Sequence, residues 1–179
     1  MSRAPIALFY GSSTCYTEMT AEKIQQCLGE ANIELFNIAD TPIITTQFYT
    51  QIIFGIPTWD YGELQEDWED IWDEIDELDF TGKTVAIYGQ GDQEGYPEWF
   101  IDAVGYLHSK LIKLGATMIG YWPVSGYEFE SSKALTPDET QFVGLALDDE
   151  GQFDASAQRI QSWCQQLCET FTLIDTPSE

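Results

Sequence analysis

Short apolar runs alternate along this chain with longer segments in which apolar residues recur every three or four positions. A short apolar run bounded by turn residues is typical of a strand buried on both faces, and the longer spacing is typical of an amphipathic helix. The runs predict five strands and one further strand-like stretch, at 6–10, 33–38, 51–56, 84–88, 116–121 and 142–147. The periodic segments predict four helices, at 14–28, 62–78, 97–114 and 154–171.

The order of these elements predicts the fold class. Strands that alternate with helices and are too apolar to face water form a parallel sheet with helices on both faces. Right-handed crossovers then favour an α/β, doubly wound, five-stranded parallel sheet with the strand order 2-1-3-4-5. A ligand would bind where the loops after strands one and three diverge. Residues 122–141 are rich in turn-forming residues and have no period, so we interpret them as an insertion that splits or flanks the last strand.

Length and composition favour one soluble domain over residues 1–179. The 179 residues, 44% of them hydrophobic, are enough for one sizeable core. The net charge of −24, from 31 acidic and 7 basic residues, would repel nucleic acid and anionic membranes and would suit a basic protein surface.

The apolar runs are too short to span a bilayer and no signal peptide is visible, so we expect a cytoplasmic protein. The four cysteines fit no zinc or iron–sulfur spacing, and we expect free thiols and no metal.

The loop after the first predicted strand is rich in hydroxyl groups and opens a helix. Ser12, Ser13, Thr14 and Thr17 offer donors there, beside the unpaired N–H groups and the positive dipole end of the helix. Because the loop has no basic residue, it suits a monophosphate better than a nucleoside triphosphate. On this loop alone, ordinary helix capping by Ser and Thr would be the simpler interpretation.

The loops after strands three and four each carry an aromatic residue at the same edge of the sheet. Trp59 lies in the stretch 57–62 and Tyr96 in the stretch 89–97, both of which also contain glycines. Two rings on exposed loops are suited to covering the faces of a flat ligand, and glycines let backbone groups approach its edge. The alternative for Trp59 is a surface residue packed under the insertion.

These loops, together with the stretch 142–148, resemble the long-chain flavodoxin family, and within it a second-flavodoxin subtype. The likeness covers nearly the whole chain and implies a flavodoxin-like fold, the long-chain insertion and one non-covalently bound FMN. Cys15 and Tyr16 depart from the family's phosphate loop, which usually has glycine and then a basic or polar residue there. The resemblance implies that the FMN site is formed by Ser12, Ser13, Thr14, Cys15, Tyr16, Thr17, Pro57, Thr58, Trp59, Asp60, Tyr61, Gly62, Gln90, Gly91, Asp92 and Tyr96.

The resemblance also implies a function, that of a low-potential electron carrier without catalytic residues. We expect a monomer with basic-surfaced redox partners: an NADPH-dependent flavoprotein reductase as donor, and acceptor enzymes. The alternative is an FMN-dependent NAD(P)H:quinone-type reductase on the same fold, although the acidic loops are poorly suited to nicotinamide phosphates. A third possibility is a cofactor-free signalling domain.

Two further features bear on these alternatives. The segment 60–79 contains eleven acidic residues and no Lys or Arg, so we expect it to steer basic partners as well as to solvate a helix. The lone His108 lies near the inward stripe of its helix, where a packed histidine is the simpler interpretation than a catalytic one.

Overall fold

The structure is a computed structural model that describes residues 3–174. These residues contain ten strands, four α-helices and one short 3-10 helix at Ile43–Phe48, joined by loops. In chain order the α-helices and strands are β1 (Ile6–Tyr10), α1 (Tyr16–Leu28), β2 (Ile33–Asn37), β3 (Gln51–Gly55), β4 (Thr58–Trp59), β5 (Glu63–Leu64), α2 (Glu66–Ile75), β6 (Thr84–Gln90), α3 (Asp102–Lys113), β7 (Thr117–Met118), β8 (Trp122–Pro123), β9 (Gln141–Phe142), β10 (Leu145–Leu147) and α4 (Phe153–Cys168).

The central sheet is parallel and has the predicted strand order. Its path is β10-β6-β3-β1-β2, and β7 pairs with β6 as well. The fifth position is shared: β7 pairs with the start of β6, Thr117 opposite Thr84, and β10 pairs with its end, Leu145 opposite Tyr88. The doubly wound order 2-1-3-4-5 is therefore confirmed, with the insertion dividing the last strand.

Side chains of the central strands alternate between two cores, one on each face of the sheet. In β1, Ala7 and Phe9 enter the first core, which α2, α3 and the insertion cover. Ile6, Leu8 and Tyr10 enter the second core, which α1 and α4 cover. Because both faces are covered by helices, ligands can reach the sheet only at its edges or ends.

Two predicted helices begin later than their apolar period suggested. The helix predicted at 62–78 occupies only Glu66–Ile75, because Thr58–Trp59 and Glu63–Leu64 pair first as an antiparallel hairpin. The helix predicted at 97–114 occupies Asp102–Lys113, because Ile101 takes a left-handed conformation with φ 47° and interrupts the turns before it. Both corrections leave more loop at the carboxyl edge of the sheet than we expected.

The remaining differences are small. Helices α1 and α4 occupy 16–28 and 153–168 where we predicted 14–28 and 154–171, and β6 extends two residues further than predicted, to Gln90. The insertion, predicted as irregular, contains the antiparallel pair β8–β9. The stretch predicted as one strand at 142–147 is broken at Gly144, where a Cβ would collide with the Ile87 carbonyl oxygen.

Candidate functional site

A cleft opens at the carboxyl edge of the sheet, where the loops after β1, β3 and β6 meet. Eleven of the sixteen predicted site residues line it: Thr14, Tyr16, Thr17, Pro57, Thr58, Trp59, Asp60, Gln90, Gly91, Asp92 and Tyr96. The other five, Ser12, Ser13, Cys15, Tyr61 and Gly62, lie on the same loops but do not line the cleft in this structure. The position is the one expected for a ligand at the switch point of a doubly wound sheet.

The hydroxyl-rich loop at 12–17 is held in place by β6. The Tyr88 hydroxyl donates a hydrogen bond to the Thr17 carbonyl oxygen at 2.8 Å. The Thr17 hydroxyl donates to Gln90 Oε1 at 2.9 Å, and Gln90 Nε2 donates to the Thr20 hydroxyl at 2.9 Å. Because Tyr88 is fully buried and Gln90 nearly so, the start of α1 is fixed relative to the sheet.

The backbone at the start of α1 suits an anion. Cys15 precedes the helix in a left-handed conformation with φ 71°, where glycine is usually favoured, so the loop keeps this geometry without a glycine. The first N–H groups of the helix have no helical acceptor, and the dipole is positive there. In addition, the buried Ser12 Oγ has no hydrogen-bond partner within residues 3–174. A phosphate oxygen would satisfy it, so the donors of this loop fit a phosphate group.

The aromatic residues predicted to cover a flat ring are both available. Trp59 lies in β4 and Tyr96 in the loop after β6, and both are half-buried on the lining of the cleft. The neighbouring Asp60 carboxylate raises the pKa of the Tyr96 hydroxyl. The exposed Tyr61 packs edge-on against Tyr96, with ring centroids 5.7 Å apart, and against Trp99 at 5.1 Å. Tyr61 therefore supports Tyr96 from outside the cleft.

The hairpin that carries Trp59 has an unusual backbone. Asp60 has φ 43° and Gly62 has φ 80°, both in the left-handed region. The Thr58 hydroxyl accepts a hydrogen bond from the Ala103 N–H at 2.9 Å and so fixes the hairpin to the start of α3. A Cβ on Gly62 would lie 3.0 Å from Asp102 Oδ2, so glycine is required by both the conformation and the space.

Two acidic residues line the cleft that the sequence analysis did not identify. Asp149 and Glu150 come one residue after the end of β10 and line the same cleft as the hydroxyl-rich loop. Burial raises the pKa of Asp149, whose carboxylate accepts a hydrogen bond from the Ser156 hydroxyl at 2.7 Å. The rule that carboxyl ends of parallel strands meet at one edge could have found them, because Asp148, Asp149 and Glu150 follow the last strand.

The other candidate groups lie away from the cleft. The His108 ring nitrogen Nε2 lies 2.6 Å from the Tyr121 hydroxyl oxygen, and burial lowers the pKa of His108, which agrees with a packed histidine. The four cysteines are free thiols, as expected. Between residues 3 and 174, no group of three acidic, His or Cys side chains could hold a metal ion. In the same range, no helix is long and apolar enough to cross a membrane.

Fold and cleft together define a doubly wound α/β protein whose switch point combines an uncharged anion loop with aromatic walls. The sequence model of the flavodoxin family matches residues 8–167. Flavodoxin 2 of Escherichia coli K12 is 55% identical over 90% of this chain and 94% of its own length, and Flavodoxin 2 of Salmonella typhi is 54% identical over the same shares. The structure of Fusobacterium nucleatum flavodoxin bound to flavin mononucleotide has a TM-score of 0.88 at 28% identity, covering 93% of this chain and 98% of that one.

The chain belongs to the flavodoxin family. Flavodoxins are electron carriers that bind FMN, rather than enzymes. Family membership therefore confirms the predicted resemblance and favours the electron carrier over both the quinone-type reductase and the cofactor-free signalling domain.

Proposed function

We propose that this protein is a low-potential electron carrier that holds one FMN non-covalently in the cleft at the carboxyl edge of its sheet. The observation that carries the proposal is the joining of two features in one cleft: a neutral, hydroxyl-rich helix start and the aromatic pair Trp59 and Tyr96. The first suits a phosphate and the second a flat ring, and FMN has both. When bound, FMN supplies the ability to accept and release electrons one at a time.

The phosphate would be held by residues 12–17. Backbone N–H groups at the start of α1 and the hydroxyls of Ser12, Ser13 and Thr14 would be the donors. The hydroxyl hydrogen of Thr17 is already used by Gln90 Oε1, so Thr17 would contribute through its backbone and by fixing the loop to β6. Tyr16 lines the cleft at the mouth of this loop, and Cys15 supplies the left-handed turn that a glycine would otherwise make.

The isoalloxazine ring would lie between Trp59 and Tyr96. Backbone groups near Asp60, Tyr61 and Gly62 would meet one part of its polar edge, and those near Gly91 and Asp92 another. Rotation of the Asp60–Tyr61 peptide would let the hairpin present a carbonyl acceptor at flavin N5, a change that Gly62 makes possible.

The charges around the cleft support a low reduction potential. Asp60, Asp92, Asp149 and Glu150 line it, and no basic residue is among the lining residues. Negative charge added to a ring in such a partly enclosed, acidic site is unfavourable, so an accepted electron leaves readily. The net charge of −24 adds to this effect.

The partners are proposed from the same charges. The acidic residues of α2 follow the hairpin of Trp59 directly and would draw basic-surfaced redox proteins to the flavin edge. An NADPH-dependent flavoprotein reductase would act as donor and acceptor enzymes would receive the electrons. We propose a cytoplasmic monomer that binds neither nucleic acid nor membranes.

Reductive titration of the purified holoprotein tests this function. We expect a yellow protein that is reduced in two resolved one-electron steps and that does not oxidise NADPH unless a reductase is added. Rapid NADPH oxidation by the protein alone would support the quinone-type reductase instead. A folded, colourless protein that remains colourless after incubation with FMN would contradict both.

A further inference from the structure

Gln65 links the proposed phosphate loop to the acidic helix α2. Gln65 is only 1% exposed and directly precedes the first residue of α2. The amide nitrogen Nε2 donates one hydrogen bond to Ser13 Oγ at 3.0 Å and another to Asp67 Oδ2 at 2.8 Å. Both hydrogens of this nitrogen are therefore used, one on each element.

These two contacts fix the direction of each hydrogen bond. A carboxylate can only accept, so the atom that faces Asp67 must be the amide nitrogen and not the oxygen. Ser13 Oγ then accepts from the same nitrogen, and its own hydrogen must point to a different acceptor. Ser13 is exposed in the loop at 12–17, where that hydrogen can reach a bound anion.

Packing alone does not explain an amide at this position. Gln65 Oε1 is buried without a hydrogen-bond partner within the described chain. An unpaired buried acceptor is unfavourable, and an apolar side chain of similar size would fill the space without it. The amide is therefore placed here for its two donor hydrogens.

We propose that Gln65 is a positioning residue for the cofactor phosphate, acting through Ser13. By donating to Ser13 Oγ, it orients the hydroxyl hydrogen of Ser13 into the phosphate loop. The negative charge of Asp67 on the other hydrogen holds the amide in this orientation. The inference rests on the proposed FMN site and adds to it a residue that does not touch the cofactor.

The test compares FMN with riboflavin, which has the same ring and no phosphate. Dissociation constants of both flavins are measured by fluorescence quenching for the wild type, Gln65→Met, Ser13→Ala and the double variant. Gln93→Met is the matched control, because Gln93 is also a buried glutamine that donates to a carboxylate, Asp148, at 2.8 Å. Thermal unfolding of each apoprotein shows that it is folded.

We expect Gln65→Met to weaken FMN binding about tenfold while riboflavin binding changes less than about twofold, the size of one lost charge-assisted hydrogen bond. We compare variants by the ratio of the riboflavin dissociation constant to the FMN dissociation constant, which falls when FMN binding alone is weakened. Gln93→Met should leave this ratio unchanged. In the Ser13→Ala background, Gln65→Met should have almost no further effect on that ratio, because the residue through which it acts is gone. Gln65→Glu should lower the ratio at least as much, because the introduced carboxylate would accept the hydrogen of Ser13.

Two results would overturn the role of Gln65. One is an equal loss of affinity for both flavins in Gln65→Met, which is the result of a purely structural role. The other is a full effect of Gln65→Met in the Ser13→Ala background. A wild-type protein that binds neither flavin would instead refute the proposed function, and this inference with it.

Discussion

At the residue scale, the two aromatic rings of the cleft are the first side chains to test. We predict that Trp59→Ala weakens FMN binding by about tenfold to a hundredfold, because stacking of a ring on an aromatic side chain contributes about 1–3 kcal/mol. Trp99→Ala is the control, since Trp99 contacts Tyr61 but does not line the cleft. Fluorescence titration of the apoproteins measures both, and equal losses in the two variants would contradict a stacking role for Trp59.

The thiol pair between α1 and α4 gives a second prediction at this scale. A hydrogen bond from Cys164 lowers the pKa of Cys27 from its ordinary value of 9.0 to about 7, and Cys164 itself has a raised pKa. The rate of Cys27 alkylation by iodoacetamide should therefore rise through about pH 7, because the thiolate is the reactive form. Peptide mass spectrometry at a series of pH values measures it.

Cys164→Ala is the control for the thiol pair. Without the Cys164 donor, the pH midpoint of Cys27 alkylation should move upward, toward the ordinary thiol value of 9.0. A midpoint that is already near this value in the wild-type protein would contradict the hydrogen bond between the two thiols.

At the scale of elements, the β4–β5 hairpin is the one that carries Trp59 and that would border the proposed flavin. Gly62→Ala should lower the free energy of unfolding of the apoprotein by about 1–2 kcal/mol, because φ 80° is costly for a residue with a Cβ. The contact of the added Cβ with Asp102 should lower it further. Gly82→Ala is the matched control, with φ 79° and nothing within 4 Å of the added carbon. Urea unfolding measures the free energy of unfolding of both variants.

The reduction potentials of the bound flavin give a second comparison of the two glycine variants. Gly62→Ala should shift at least one potential, because it hinders rotation of the Asp60–Tyr61 peptide, whereas Gly82→Ala should shift neither. If both potentials of Gly62→Ala equalled those of the wild type, peptide rotation would have no part in setting them.

Apolar periodicity predicted the strands of the sheet and the existence of all four helices, because burial on two faces leaves a strong local pattern. It could not predict where α2 and α3 begin. The β4–β5 hairpin pairs only two residues on each side, and the left-handed conformation of Ile101 depends on its tertiary surroundings. The sharing of the fifth sheet position by β7 and β10 likewise depends on pairing with β6, which no local signal records.

The same limit applies to the cleft. The hydroxyl-rich loop, Trp59 and Tyr96 are visible in the sequence because each directly follows a predicted strand or lies in the loop after one, at the edge where a ligand is expected. The residue types of Asp149 and Glu150 give no such signal, since acidic residues are common throughout this chain, and only their position after the last strand could have pointed to the cleft. The role proposed for Gln65 is equally invisible, because its hydrogen bond to Ser13 spans 52 residues.

At the scale of the whole molecule, the distribution of charge is the property to test. Replacing Asp70 and Asp73 of α2 by Lys should slow electron transfer to a basic-surfaced partner several-fold at low salt, because fewer charges steer it to the cleft. Glu22→Lys with Glu169→Lys is the control, since it changes the net charge equally on the face covered by α1 and α4. Stopped-flow kinetics over a range of ionic strength measures the rates.

Salt should remove the difference between the two charge variants. At an ionic strength of about 0.5 M, exposed charges are screened within a few ångströms and the two rates should converge. Equal rates at low salt would mean that net charge alone matters, and rates insensitive to salt would contradict electrostatic steering altogether.

The central claim is that one FMN binds where the hydroxyl-rich loop and the two aromatic rings meet. Its most direct test is calorimetric titration of the folded apoprotein with FMN. We expect one site per chain, with an affinity that falls in Trp59→Ala through the ring and in Ser12→Ala through the phosphate. An apoprotein with an intact thermal unfolding transition that takes up no FMN would contradict the claim.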